Sequence, residues 1–242
     1  MTDQKTIAIF GAGTGLGASV ARHYGKAGFQ VALVARNAQS LSERVAELSA
    51  QGVDAKAFPA DLNEIDAIPA LVREIEEKSG PIHTAIFAPV GNFRMLPAVD
   101  LTAALLRELA NILTLAPLEV VRAVLPGMLA RGDGAIVIAD GLSAVTPMPG
   151  MSGPGPAFAA TRNYILGLHE EIKDRGVFAG MLHIGAMIDN STGLRAAAAN
   201  GLPVNDPRFA TINPDILAEE IWSLATERSH AESILPAKHD PH

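Results

Sequence analysis

Short, continuous apolar runs alternate with segments of helical period along almost the whole chain, and few folds accept that rhythm. Thr6–Phe10 (TIAIF) reads as a first strand, and residues 16–27 carry Leu16, Val20 and Tyr24 along one helical face. Further strands are predicted at 31–35, 53–59, 82–88 and 135–139, then at Val177–Ile184, with a short last one at 233–235. Helices are predicted between them at 38–50, 64–78, 98–130 (bent near Pro117), 158–174 and Pro214–Glu227. Strands apolar on both faces belong to a parallel sheet covered on both sides. Right-handed crossovers then give one α/β domain over residues 1–242, a doubly wound Rossmann fold with a mainly parallel sheet. Ligands of such sheets bind outside the carboxyl ends of the strands. Two segments interrupt the rhythm there: a Gly/Pro-rich loop at 141–156, and 186–213, long enough to be expected as a substrate lid.

Composition narrows the function. Lys and Arg number 19 against 26 Asp and Glu, a formal charge of −7 with no dense basic run, so no nucleic-acid or membrane partner is expected. With no Cys, disulfides, thiolate metal sites and a cysteine nucleophile are excluded. The seven His show no metal-ligand spacing, and His169-Glu170-Glu171 lacks a second His four residues on, so no metal site is expected. The N-terminal residues carry no apolar leader, which predicts a cytoplasmic protein.

The strongest chemical signal is Gly11-Ala12-Gly13-Thr14-Gly15-Leu16-Gly17, set between the first strand and its helix. Glycines there allow a tight turn and a close backbone approach to a pyrophosphate, whose charge suits the helix N-terminus. About 20 residues on, an NAD site usually carries an acid for the ribose 2′-hydroxyl. Here the second strand ends Ala35-Arg36-Asn37, with no acid. A guanidinium at that place suits a 2′-phosphate, so NADP(H) is the expected cofactor.

The spacing Gly11-x-x-x-Gly15-x-Gly17 resembles the short-chain dehydrogenase/reductase family, and the likeness continues along most of the chain. Ala60-Asp61-Leu62 is similar to the family's acidic pair at the adenine. Ala116-Pro117 through Met128 resembles its long interface helix, Gly134-Ala135-Ile136-Val137 its fifth strand, and Ile184-Gly185 the Pro-Gly after its sixth. The resemblance implies a cofactor site built from Gly11, Gly13, Thr14, Gly15, Leu16, Gly17, Arg36, Asn37, Asp61, Leu62, Ala88, Pro89, Arg162 and Gly185. It also implies a homodimer or homotetramer formed on residues 102–130 and 158–174, and a small-molecule substrate.

The catalytic positions depart from that family. Its Tyr-x-x-x-Lys falls on Phe158-Ala159-Ala160-Thr161-Arg162, its strand-five Ser on Gly141, and its helix Asn on Leu113. Phe158 carries no proton, and Arg162 keeps the charge of Lys without its chemistry. Asn111 lies two residues from the Asn position, about 200° around a helix, and so faces elsewhere. Asp140 and Ser143, just past strand five, are the candidate substitutes; Tyr164 is expected to pack away from the site, and His183 to be a satisfied buried residue. Met148, Met151, Met181 and Met187 fit either an adaptable pocket or core filling. Two readings stay open: an NADP(H)-dependent oxidoreductase with a diverged site for a small carbonyl or activated alkene, and a non-catalytic NADP(H)-binding sensor or oligomer partner. A scaffold that binds no nucleotide is the third.

Overall fold

Every residue of β1 (Thr6–Phe10) is buried, which places it at the centre of a sheet, as its unbroken apolar run requires. The computed structural model describes residues 4–89, 95–199 and 210–237. In chain order the elements are α1 (Leu16–Lys26), β2 (Gln30–Ala35), α2 (Ala38–Ser49), β3 (Ala55–Pro59), α3 (Ile68–Ser79) and β4 (Ile82–Phe87). There follow α4 (Ala103–Ala110), α5 (Ala116–Arg131), β5 (Gly134–Gly141), α6 (Pro154–Ile172), β6 (Val177–Ile184) and β7 (Met187–Ile188). The last are α7 (Thr192–Ala199), β8 (Thr211–Ile212), α8 (Pro214–Glu227) and β9 (Glu232–Leu235).

Seven strands form one sheet in the order β3-β2-β1-β4-β5-β6-β9, parallel throughout. The order reverses between β1 and β4, so the ligand crevice opens at their carboxyl ends. Alternate strand residues feed two cores. Ala8, Phe10, Ile136, Ile138, Ala179 and Met181 pack toward α3, α5 and α6; Ile7, Ile9, Val137 and Leu182 pack toward α1 and α8.

The expected elements are present, with shifts that have physical reasons. The bend expected near Pro117 lies one turn earlier, as a π-helical segment at Asn111–Leu115. Pro117 has no N–H to return to the Leu113 carbonyl four residues back, and Thr161 Oγ1 on α6 donates to that carbonyl at 2.6 Å. The helix expected from residue 158 begins at Pro154, because Pro suits a first helical turn. The expected lid is not plain loop. β7 and β8 pair in parallel, and α7 follows β7; residues 200–209 of the expected lid lie outside the described residues. Among the described residues, one helical stretch, Ala103–Arg131, is long and apolar enough to cross a bilayer by length and composition. Its inner residues Val120, Val121, Val124 and Met128 are buried against the sheet.

Candidate functional site

The glycine turn leaves β1 at the switch point. Gly11 has φ +98° and donates its N–H to the Val34 carbonyl at 3.0 Å. A Cβ on Gly11 would sit 2.5 Å from the Pro89 nitrogen, and one on Gly17 would sit 2.8 Å from the Ala12 Cα, so both positions exclude side chains. At Gly13 the nearest atom to such a Cβ is 3.9 Å away, leaving the turn open there. α1 starts at Leu16, behind Gly15 as the capping residue, with no side-chain cap and no acid in its first turn. Its first N–H groups carry the charge that suits a phosphate, while Ser191 and Ile188 lie against Gly15, where a Cβ would sit 2.9 Å and 3.1 Å from their side chains. These residues fit a dinucleotide pyrophosphate.

The far end of the groove is polar. Arg36 is exposed at the end of β2, and Asn37 caps α2 by accepting from the Ser40 N–H at 2.8 Å. Asp61, at the end of β3, accepts from the Asn63 N–H at 3.0 Å and from Asn63 Nδ2 at 2.9 Å. Those hydrogen bonds, and then the nearby Arg36 charge, hold its carboxyl below the ordinary carboxylate range. Leu62 turns into the core, so only its backbone is available to a ligand. At the near end, Ala88 and Pro89 follow β4 directly, and Gly185 is tied to β9 by its N–H to the Leu235 carbonyl at 2.8 Å.

The segment after β6 already touches the turn. Thr14 Oγ1 donates to the Asn190 carbonyl at 2.8 Å, and Arg195 Nη2 donates to Thr14 Oγ1 at 2.8 Å. Arg195 Nη1 also donates to the Asn190 carbonyl at 2.9 Å. Sequence reasoning missed Arg195, which nothing in its local pattern marks.

The catalytic positions come together. A Cβ on Gly141 would lie 3.3 Å from Phe158 Cε2 and 3.7 Å from Ser143 Oγ. Gly141 and Phe158 therefore face each other, as the family's Ser and Tyr positions should. Phe158 and Leu113 wall a cavity of about 10 Å³, with Phe87, Ile138, Thr161 and Asp140. Asn111 turns away and donates from Nδ2 to the Asn63 carbonyl at 2.9 Å. Tyr164 packs against the core as a half-buried ring.

Asp140 and His183 are both in the site. Each is the seventh residue of an eight-residue strand, and β5 and β6 pair from their first residues, so the two sit side by side. Equal offsets in neighbouring parallel strands were the signal for this pairing. His183 Nδ1 and Asp140 Oδ1 are 2.6 Å apart, and His183 Nε2 and Glu232 Oε2 on β9 are 3.3 Å apart. Glu232 in turn accepts from Arg162 Nε and Nη2, both at 2.7 Å. Arg162, expected in the cofactor site, instead turns its guanidinium fork to Glu232. His183 is fully buried and satisfied as expected, but its partners are acids of the site.

Burial pushes the Asp140 carboxyl up to about 6, with the His183 hydrogen bond acting against that rise. The Arg162 hydrogen bonds hold Glu232 below its ordinary value. Asp140 Oδ2 and Ser143 Oγ are buried with no hydrogen-bond partner. Among the described residues no group of His, Asp and Glu could hold a metal ion.

Comparison with known proteins gives consistent matches. The family model for short chain dehydrogenase matches residues 5–198. A short chain dehydrogenase from Pseudocercospora fijiensis is 29% identical over 185 residues, covering 76% of this chain and 60% of that protein. The chain thus spans under two thirds of that relative's length. An uncharacterized oxidoreductase from Mycobacterium tuberculosis is 30% identical over 220 residues, covering 82% of this chain and 85% of its own. Among solved structures, a metagenomic short-chain oxidoreductase in complex with NADP superposes with a TM-score of 0.78 at 23% identity, over 96% of each chain.

Proposed function

The chain belongs to the short chain dehydrogenase family, and from that premise we propose that it is an NADP(H)-dependent oxidoreductase with a diverged active site. Its substrate class is a small apolar carbonyl or an activated alkene. The observation that carries this reading is the junction of two halves at one sheet edge. The glycine turn with Arg36 offers a dinucleotide cradle, and the same edge holds a buried carboxyl with one unpartnered oxygen, on a residue that lines a small cavity.

When bound, the dinucleotide supplies or accepts hydride. The residues of this chain do the rest. The N–H groups of Gly15 and Leu16 hold the pyrophosphate with the turn of Gly11, Gly13, Thr14 and Gly17. Arg36 and Asn37 hold the 2′-phosphate, Asp61 and Leu62 the adenine, and Ala88, Pro89 and Gly185 the nicotinamide side. Phe87, Leu113, Ile138 and Phe158 exclude water from the reacting end. A metagenomic family member solved with NADP supports the choice of nucleotide. Assembly as a homodimer or homotetramer through α5 and α6 belongs to the same proposal, supported by Leu115, which is exposed just ahead of α5.

The test of the diverged site is to rebuild the family's own. Gly141→Ser with Phe158→Tyr and Arg162→Lys, assayed by NADPH oxidation against a panel of small ketones, aldehydes and enones, is expected to raise turnover by about tenfold or more. Equal rates in wild type and variant would mean that these three positions do not limit the chemistry. If neither protein oxidises NADPH with any member of the panel, the oxidoreductase reading fails.

A further inference from the structure

We infer that Asp140 is the proton donor and acceptor of this site, and that His183, Glu232 and Arg162 are positioning residues that connect it to the sheet edge. The inference rests on the oxidoreductase reading above and names the group that reading leaves open.

The Asp140 side chain is 2% exposed, yet only one of its oxygens is engaged. Oδ2 has no partner, and the residue lines the cavity bounded by Phe87, Leu113 and Phe158. A buried polar oxygen without a partner has lost its hydration with nothing in return, so one kept in place calls for an occupant. The cavity has the space of one water or one substrate oxygen. The group therefore offers a hydrogen-bonding atom where Phe158 offers none.

The neighbours of Asp140 make a proton path. From β6 it faces His183; beyond that lie Glu232 on β9 and Arg162 on α6. The cavity that Asp140 lines is walled by Phe87 from β4, Leu113, and Phe158 and Thr161 from α6, and none of its other lining residues titrates. His183 sits between two carboxyl groups, one at each ring nitrogen. A neutral imidazole has one N–H and one acceptor nitrogen, so it cannot donate to both. Either the ring is cationic, or one of the carboxyl groups carries a proton. Arg162 holds Glu232 ionised through its two charge-assisted bonds, so in the neutral-ring state the proton belongs on Asp140. Arg162 and Glu232 are about one third exposed, which brings solvent to the outer end of the chain.

The step balances. In the neutral-ring state the proton sits on Asp140 Oδ1 against His183 Nδ1; a half-turn of the carboxyl about Cβ–Cγ carries it to the opposite side, where it passes to the carbonyl oxygen as the hydride that a bound reduced dinucleotide would supply adds to the carbonyl carbon. The C=O π pair becomes the new O–H bond, and the products are an alcohol, the oxidised dinucleotide and the Asp140 carboxylate. Asp140 recovers its proton from His183, which recovers its own from solvent beside Glu232. In the oxidative direction each transfer runs backward.

Nucleotide binding tests this without a substrate. The oxidised nicotinamide ring carries a positive charge that the reduced ring lacks, so an ionised Asp140 beside it favours NADP+ alone. Affinities for NADP+ and NADPH are measured by calorimetry on the full chain at about pH 8 and about pH 5, in wild type and Asp140→Asn. The nucleotide's 2′-phosphate titrates near about 6 in both forms and cancels in their ratio. In wild type, the NADP+ to NADPH affinity ratio is expected to fall by about tenfold on acidification, the equivalent of one pKa unit of coupling. In Asp140→Asn it is expected not to change. The Asp140 carboxyl carbon, followed by NMR in wild type alone, is expected to titrate at lower pH with NADP+ than with NADPH. That measurement stands even if the variant does not fold. A wild-type ratio indifferent to pH, or one that moves equally in both proteins, overturns the inference while leaving nucleotide binding intact. If neither nucleotide binds, the cofactor reading fails first and takes this one with it.

Discussion

Asp140→Asn is expected to slow NADPH-driven carbonyl reduction by about 10²–10⁴-fold, the range typical of a lost general acid. The fall should appear in kcat, with KM little changed, because the Asn amide can still donate to His183 Nδ1 and has nearly the same volume. The pH profile separates this from a structural effect. Asp140 is raised from 3.8 to about 6 by burial, so it is protonated below that pH and ionised above it. Reduction needs the protonated form, so wild-type kcat should fall as pH rises through about 6, and oxidation should rise over the same interval. The variant should lose that limb in both directions. The same shift affects stability: between 3.8 and about 6 the folded chain holds a proton that the unfolded chain has released, so stability falls as pH rises across that window. Chemical unfolding at several pH values checks this slope, which Asp140→Asn should remove.

Gly11→Ala is expected to destabilise the fold by about 3 kcal/mol or more, the sum of a strained backbone and an overpacked contact. At φ +98° an L side chain is unfavourable, and its Cβ would meet backbone atoms of Ala88 and Pro89 at 2.5–2.6 Å. Neither strand end can retreat, since Gly11 and Ala12 bond to Val34 and Ala88 bonds to Phe10. Gly13→Ala, in open space, should cost far less stability. For a chain of this length the first change corresponds to a fall of about 10 °C in Tm, and thermal melts of both variants measure it. Similar melting of the two would mean that the turn is less tightly held than the structure shows.

Most of the fold was legible because its signal is periodic. An apolar run such as Val177–Ile184 can only be a strand buried on both faces, and Leu16, Val20 and Tyr24 mark the buried side of α1 as they stand in the chain. The glycine turn was legible because Gly11 and Gly17 answer steric demands that no other residue meets. Arg36, Asp61 and Asp140 could be placed at strand ends from their position alone. The longest-range contacts of the site could not. Glu232 belongs to a four-residue edge strand, and its contact with Arg162 spans 70 residues of sequence. Arg195 reaches Thr14 across 181 residues. Such pairings depend on strand order and helix docking, which local pattern does not encode. His183 shows the boundary between the two. Its burial followed from its strand, while its contact with Asp140 required the register of β5 against β6.

Everything proposed for the chemistry depends on nucleotide binding, and a titration of purified protein with NADPH and NADH, followed by nicotinamide fluorescence with Arg36→Ala alongside, tests it most directly. NADPH should bind wild type at least about tenfold more tightly than NADH, the equivalent of one charge-assisted contact of about 1.4 kcal/mol. Arg36→Ala should weaken NADPH to the level of NADH and leave NADH unchanged. Binding of neither nucleotide below about millimolar concentration, a scale of about 4 kcal/mol, would contradict the cofactor assignment and leave the glycine turn as architecture alone.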